Sequence, residues 1–368
     1  MIKSTYSDVG SPKPHYPALD GLRGLAIILV LLFHNFRYIP LFEYNWVGVD
    51  LFFVISGFLI TGILLRERNT ENYPQNFYVR RILRIFPIYY FSLLLLFYLL
   101  PRSINYSFNT EYFFRNQKWF WFFGENWLFI VHDPGNKIFL AGHFWTLALE
   151  EQFYILFPWI ILLVKNRSKL ISLLLAILSL LFIGRLLIAF LHMAPSTYSN
   201  LYEFTRFDGL CIGALLAALL HKKTPLIRRI DKQMASFLIL GIVALLIICP
   251  IFNWRLPLFA SSFYPMIAIF WGLVVRSSLV EGTFCFSVFN NPILKFFGKI
   301  SYGVYIFHWP VYKIMELKLR EWLMHEISST VGVNLTLSFL AAIVAVLIAL
   351  ASYYWFENKF LKLKRFFA

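Results

Sequence analysis

The sequence predicts an all-α protein, a polytopic membrane bundle of about ten transmembrane helices. Three observations carry that fold class. Of the 368 residues, 59% are hydrophobic and only 14% are charged, against about 25% charged in a soluble domain whose surface must face water. The hydrophobic residues are gathered into runs long enough to cross the hydrocarbon core as helices. Basic residues fall in short clusters between those runs, such as Arg80, Arg81 and Arg84, or Lys222, Lys223, Arg228 and Arg229. That is the pattern of cytoplasmic loops, and it accounts for a net charge of +15 without nucleic acid as a partner.

In chain order, residues 1–17 are polar, with Ser4, Ser7, Ser11 and three prolines, and lack the apolar core of a cleavable signal. They read as a cytoplasmic tail of a single integral-membrane domain, 1–368. The predicted spans are 22–38, 46–65, 84–101, 144–164, 169–192, 203–221, 235–250, 259–276, 299–316 and 331–353. The stretch 119–131 (WFWFFGENWLFIV) is too short to cross and is broken by Gly124, Glu125 and Asn126, so it reads as an interfacial or re-entrant element. Placing the N-terminus inside puts most basic loops inside and leaves the short loops near 39–45, 193–202 and 251–258 almost free of Lys and Arg. Both termini are then cytoplasmic, which an even helix count satisfies. Cys211, Cys249 and Cys285 have no metal-site spacing and read as buried thiols; no metal is expected.

Charged and polar groups inside a bilayer cost at least a few kcal/mol each, so they mark candidate functional positions. Arg23 and His34 in the first span are eleven residues apart, about 16 Å and three turns, on nearly one face. A snorkelling arginine and an interfacial histidine explain them structurally; an anion-holding guanidinium and a general-base imidazole explain them functionally. Asp50 enters the second span at a depth close to His34, suited to orienting the imidazole or to a helix N-terminus. Ser56 and Gly57 read as close-packing positions. Arg81 and Arg84 share a face of the third span and suit phosphate recognition. Glu150 and Glu151 lie about a turn inside the fourth span, where about 100° of separation aims at most one towards the interior. In the ninth span Ser301, Tyr305 and His308 share a face, with Tyr302 beside them; a hydrogen-bonded helix seam explains the first two hydroxyls as well as a ligand does. Arg206, Asp208 and Glu357 read as end-of-helix ion pairs or anchors, and Arg185, in mid-span, requires a buried partner.

In order along the chain, these segments resemble the family-3 integral-membrane acyltransferases, bacterial enzymes that O-acylate lipopolysaccharide O-antigen and other glycans. The resemblance rests on Arg23 and His34 with ten residues between them, DLFFVISGFLIT (50–61), RRILRIFP (80–87), FWTLALEEQFYILFP (144–158), TRFDGLCIGALLA (205–217), FGKISYGVYIFHWP (297–310) and SYYWFE (352–357). It implies acyl-CoA, usually acetyl-CoA, as donor, a glycan or lipid-linked glycan hydroxyl as acceptor, and a multi-pass protein of the bacterial cytoplasmic (inner) membrane in contact with lipid. By the same resemblance Arg23 and His34 are an essential pair, and Glu150 takes the place of the family's acid in this block. The combined expectation has His34, Glu150 and Asp50 as catalytic groups. Arg23, Arg81, Arg84, Ser301, Tyr302 and His308 are the expected donor contacts. Thr146 stands where the family has serine, and Asn358 and Lys359 stand where it often has arginine and proline. The chain is expected to lack the extracytoplasmic hydrolase-like domain that some members carry. The alternatives are a glycan or lipid carrier without chemistry, for which no inverted repeat is visible, and transfer to a small-molecule acceptor.

Overall fold

The structure, a computed structural model, describes residues 16–103, 110–131, 140–191, 201, 206–220, 240–241 and 257–367. Among the described residues the regular structure is helical and no strand occurs. Six stretches are long and apolar enough to cross a membrane: Pro17–Phe36, Pro40–Glu67, Tyr73–Leu99, Gly142–Leu163, Arg167–Phe190 and Thr330–Phe367. The chain is an all-α membrane protein.

Helix α1 (Pro17–Phe36) starts on a proline whose missing N–H is harmless in a first turn, with Asp20 where the helix dipole favours an anion. Helices α2 (Val47–Glu67) and α3 (Tyr73–Leu94) follow, α3 running on through a π-helical stretch at Leu95–Leu99. Three short helices come next, α4 (Thr110–Arg115), α5 (Gln117–Trp121) and α6 (Glu125–Val131). The long helices resume with α7 (Trp145–Leu163), α8 (Arg167–Phe190), α9 (Asp208–Leu220) and α10 (Pro257–Ser278). After the short α11 (Phe284–Phe289) come α12 (Pro292–Glu326) and α13 (Thr330–Ala351). A second π-helical stretch, Ser352–Glu357, joins α13 to α14 (Asn358–Leu363). Asn166, Asn291 and Ser329 cap α8, α12 and α13, their side-chain oxygens accepting first-turn N–H groups.

Every predicted span except 235–250 coincides with a helix in its described part; 235–250, like Cys249 and the basic loop around Arg228, lies outside the described residues apart from 240–241. The bounds differ where a helix carries charge. Helix α3 begins eleven residues before the predicted 84, because its first turns hold Arg80, Arg81 and Arg84 and so look like loop to a hydropathy window. Helix α12 has 35 residues, about 52 Å at 1.5 Å per residue, so it overruns the bilayer. Its far end bears Lys313, Glu316, Lys318, Arg320 and Glu321.

Two pairs of helices meet at backbone contact. A Cβ on Gly24 of α1 would lie 1.9 Å from the Leu294 carbonyl oxygen of α12, and one on Gly298 would lie 1.8 Å from that of Asp20. Gly57 of α2 and Gly213 of α9 make the same approach, to the carbonyls of Leu210 and Val54. Lipid tails give apolar helices no hydrophobic reason to associate, so close approach at small residues supplies the packing. Buried charge adds two clasps: Arg206 reaches Asp50 of α2 at 2.5 Å, and Arg185 of α8 pairs with Asp208 of α9. Arg185 thereby has the partner its position requires.

The region 119–131 is two short helices around a break at 122–124, where Phe123 has φ 52°. Neither can span. Its irregular backbone is held by protein: the Tyr89 hydroxyl contacts the Phe120 carbonyl at 2.7 Å and the Glu125 carboxyl at 2.5 Å. Gln152 Nε2 donates to the Phe123 carbonyl and to Asn126 Oδ1, both at 2.9 Å.

Candidate active site

Helices α1, α2, α3, α7 and α12 surround a shared cavity. Arg23 of α1 and Arg81 and Arg84 of α3 line one part of it. Lys364, just past α14, is within electrostatic reach of all three. This fourth cation was legible only as tail charge in the sequence. Arg80 donates to the Phe367 carbonyl at 3.2 Å, so the end of the described chain lies against the start of α3. Arg81 also lies over the Tyr154 ring, 5.6 Å from its centroid. Three guanidiniums in one cavity wall, with an ammonium nearby, have the charge and donors that suit a polyanion.

Helix α7 supplies the acids. Glu150 Oε1 accepts a hydrogen bond from Ser56 of α2 at 2.8 Å, and Oε2 accepts one from Tyr154 at 3.3 Å. Glu151 is 5% exposed and lines the same cavity. The expectation that only one of the pair faces inward is therefore corrected: the cavity wraps far enough round α7 to take both. Ser56, expected to serve packing alone, is a cavity-lining donor; Gly57 does pack, on α9. Ser301 and Tyr302 line the cavity too, with hydroxyls committed to the Gly298 and Ile85 carbonyls.

His34 and His308 are not among the lining residues. They meet each other, His34 Nδ1 to His308 Nε2 at 3.2 Å, next to a third imidazole that the sequence reading passed over, His143. Ring centroids are 4.8 Å apart for His34–His308 and His143–His308. Pro310 shapes this spot, because it removes the N–H that would otherwise bond the Ile306 carbonyl, and His143 Nε2 bonds the neighbouring Tyr305 carbonyl at 2.9 Å. The trio is linked to the cavity wall. Tyr305 and Thr146 both line the cavity; their hydroxyls are in contact, and they lie 3.0 and 3.1 Å from the His143 carbonyl oxygen, which accepts from whichever of them does not donate to the other. His143 sits one residue before the predicted start of its span, and only the adjacent Trp145 and Thr146 signalled it.

Two further placements differ from expectation. Asp50 does not orient His34; its carboxylate is taken by Arg206, whose guanidinium also lies against Trp46 and Tyr264. A guanidinium buried nearby captures a buried carboxylate more strongly than a neutral ring does. His308, expected among donor contacts, instead contacts His34. Among the described residues no group of three or more His, Cys, Asp or Glu is arranged to hold a metal ion.

A family model described as an acyltransferase domain, Acyl_transf_3, matches residues 16–355. This chain belongs to the family-3 acyltransferases. The matched range of the acyltransferase includes Arg23, His34, both arginines of α3, both acids of α7 and the whole histidine trio, while Lys364 lies beyond it. Among curated relatives, "Putative O-acetyltransferase SACOL0978" of Staphylococcus aureus (strain COL) is 31% identical over 319 residues, 81% of this chain and 50% of the relative. "Peptidoglycan O-acetyltransferase OatA" of Listeria monocytogenes is 29% identical over 329 residues, again 81% and 50%. "O-acetyltransferase OatA" of Staphylococcus aureus (strain NCTC 8325 / PS 47) is 30% identical over 323 residues, 81% and 51%. The acyltransferase chain spans about half the length of these relatives. No solved structure matches it.

Proposed function

We propose that this domain is a membrane O-acetyltransferase that moves an acetyl group from acetyl-CoA to a sugar hydroxyl of a cell-surface glycan. The observation that carries the reading is one intramembrane cavity with three guanidiniums at one end and two carboxyls in its wall, backed by a histidine trio. So many costly groups around one space suit chemistry on a charged donor. The relatives' names favour a cell-wall glycan such as peptidoglycan, and the sequence resemblance also admits lipopolysaccharide O-antigen; both offer the same sugar hydroxyl.

In this reading Arg23, Arg81, Arg84 and Lys364 hold the donor's phosphates at the cytoplasmic end, and the thioester arm runs up the cavity past Glu150. Displacing the Tyr305–Thr146 pair opens the way to His34. There the imidazole takes the hydroxyl proton as the sugar oxygen bonds to the acetyl carbon and the carbon–sulfur bond breaks, releasing CoA thiolate. The topology that fits has ten spans and both termini on the cytoplasmic side of the bacterial inner membrane. The nearness of Lys364 and Phe367 to the arginines of α1 and α3 supports putting the two ends of the chain on one side.

The test uses purified protein in liposomes with radiolabelled acetyl-CoA and, in separate arms, peptidoglycan fragments and O-antigen polysaccharide. Label is expected on one of the glycans. His34→Ala is expected to lower kcat by about 10²–10⁴, the usual contribution of a general base, and Arg23→Ala to weaken donor use. Folded variants that transfer acetyl normally would remove these roles, and no label on any glycan would overturn the acceptor assignment.

A further inference from the structure

We infer that His308 is a positioning residue that holds His34 in the tautomer with the proton on Nδ1, leaving Nε2 as the basic nitrogen. The inference deepens the acetyl-transfer reading above, in that it says how the proposed base is set.

The chain of bonds leaves no other assignment. His308 Nδ1 lies 2.8 Å from the Tyr305 carbonyl oxygen and 3.2 Å from that of Val304. Carbonyl oxygens only accept, so His308 Nδ1 must carry the proton. In a neutral ring the other nitrogen, Nε2, is then an acceptor. That acceptor faces His34 Nδ1 at 3.2 Å. The second neighbour of His34 Nδ1 is the Val30 carbonyl oxygen at 3.1 Å, again an acceptor. A nitrogen flanked by two acceptors must be the N–H donor, so the lone pair of His34 is on Nε2. When Nε2 takes a proton, the N–H at Nδ1 remains and still has two acceptors for the imidazolium. An aspartate does this work in a serine-type triad; here Asp50 is held by Arg206, and a buried histidine occupies the place.

The register of α12 makes the device. Its own carbonyls at 304 and 305 fix His308, which is fully buried, and His143 Nε2 donates to that same Tyr305 carbonyl at 2.9 Å. One carbonyl with two lone pairs thus orders two rings. His34, by contrast, is half-buried, as a group that must meet substrate needs to be.

The experiment is nitrogen-15 NMR of histidine-labelled protein in lipid nanodiscs, with His34 assigned by its loss in His34→Gln. Wild-type His34 is expected to show a protonated, pyrrole-type Nδ1 and an unprotonated, pyridine-type Nε2. His308→Phe keeps ring bulk but leaves only the Val30 carbonyl to accept from Nδ1, and should raise the share of His34 protonated on Nε2. It should also lower kcat about tenfold with the KM for acetyl-CoA unchanged. His308→Gln returns an acceptor oxygen and should recover much of both signals. A wild-type His34 protonated on Nε2 overturns the inference without any variant. So does a folded His308→Phe protein whose His34 tautomer matches wild type. The base assignment fails separately, if His34→Gln transfers acetyl at the wild-type rate while the wild-type spectrum shows the Nδ1 proton.

Discussion

Arg23, Arg81 and Arg84 show how much a single residue's setting decides. Each carries a positive charge of the kind that also fixes topology, and it is their shared cavity that singles them out among the basic residues. Arg84→Ala is expected to raise the KM for acetyl-CoA about ten- to a hundredfold, the loss of one hydrogen-bonded charge contact, with kcat little changed; initial rates across donor concentration will show it. A fall in kcat alone would move Arg84 from donor binding to chemistry. Arg23 and His34 were legible at this scale, because an arginine and a histidine in one apolar span are costly. Glu150 was legible for the same reason. His143 was not, since a histidine just outside a span costs little and so raises no signal. Asp50 was visible as a costly carboxylate, but which cation would claim it depended on Arg206, 156 residues further on.

Among elements, the broken pair α5–α6 is the one whose stability should respond to pH. Glu125 is fully buried at the start of α6; burial pushes its carboxyl up to about 8, with the Tyr89 hydrogen bond opposing. A carboxyl raised in the folded state binds its proton more tightly there than when unfolded. Its contribution to stability is therefore complete below its ordinary value near 4.5 and is lost as pH rises through about 8. Glu125→Gln keeps an acceptor for Tyr89 and removes the titration. Thermal melts should match wild type near pH 5, and by pH 9 the variant should melt a few degrees higher. Equal melting at both ends would show that Glu125 does not titrate as a buried acid. The break was legible from Gly124 and the polar pair after it, because a short run with polar residues cannot cross. Its anchoring to Tyr89 and Gln152 was not, since neither partner is near in sequence.

For the whole molecule, the buried clasps Asp50–Arg206 and Arg185–Asp208 tie α2, α8 and α9 together. Removing one member breaks a buried ion pair, so Asp208→Ala is expected to destabilise the fold by about 3–5 kcal/mol. Replacing both Arg185 and Asp208 with leucine should recover most of that loss, because an apolar pair satisfies the same space. A double-mutant cycle on thermal unfolding in detergent measures the coupling; additive losses would mean the two residues do not stabilise each other.

The sequence by itself determined the membrane class, the places of the long helices among the described residues and the family, because the hydrocarbon core demands long apolar runs and penalises every charge within them. It also marked which charges were worth attention. Only the tertiary structure decided who meets whom. Both acids of α7 face one cavity, Asp50 goes to Arg206, His308 goes to His34, and Lys364 returns from the far end of the chain to the arginines. Helical periodicity assigns a residue to a face, but the partner of that face is set by backbone contact at Gly24, Gly298, Gly57 and Gly213, and such pairings between distant segments leave no period in a single sequence.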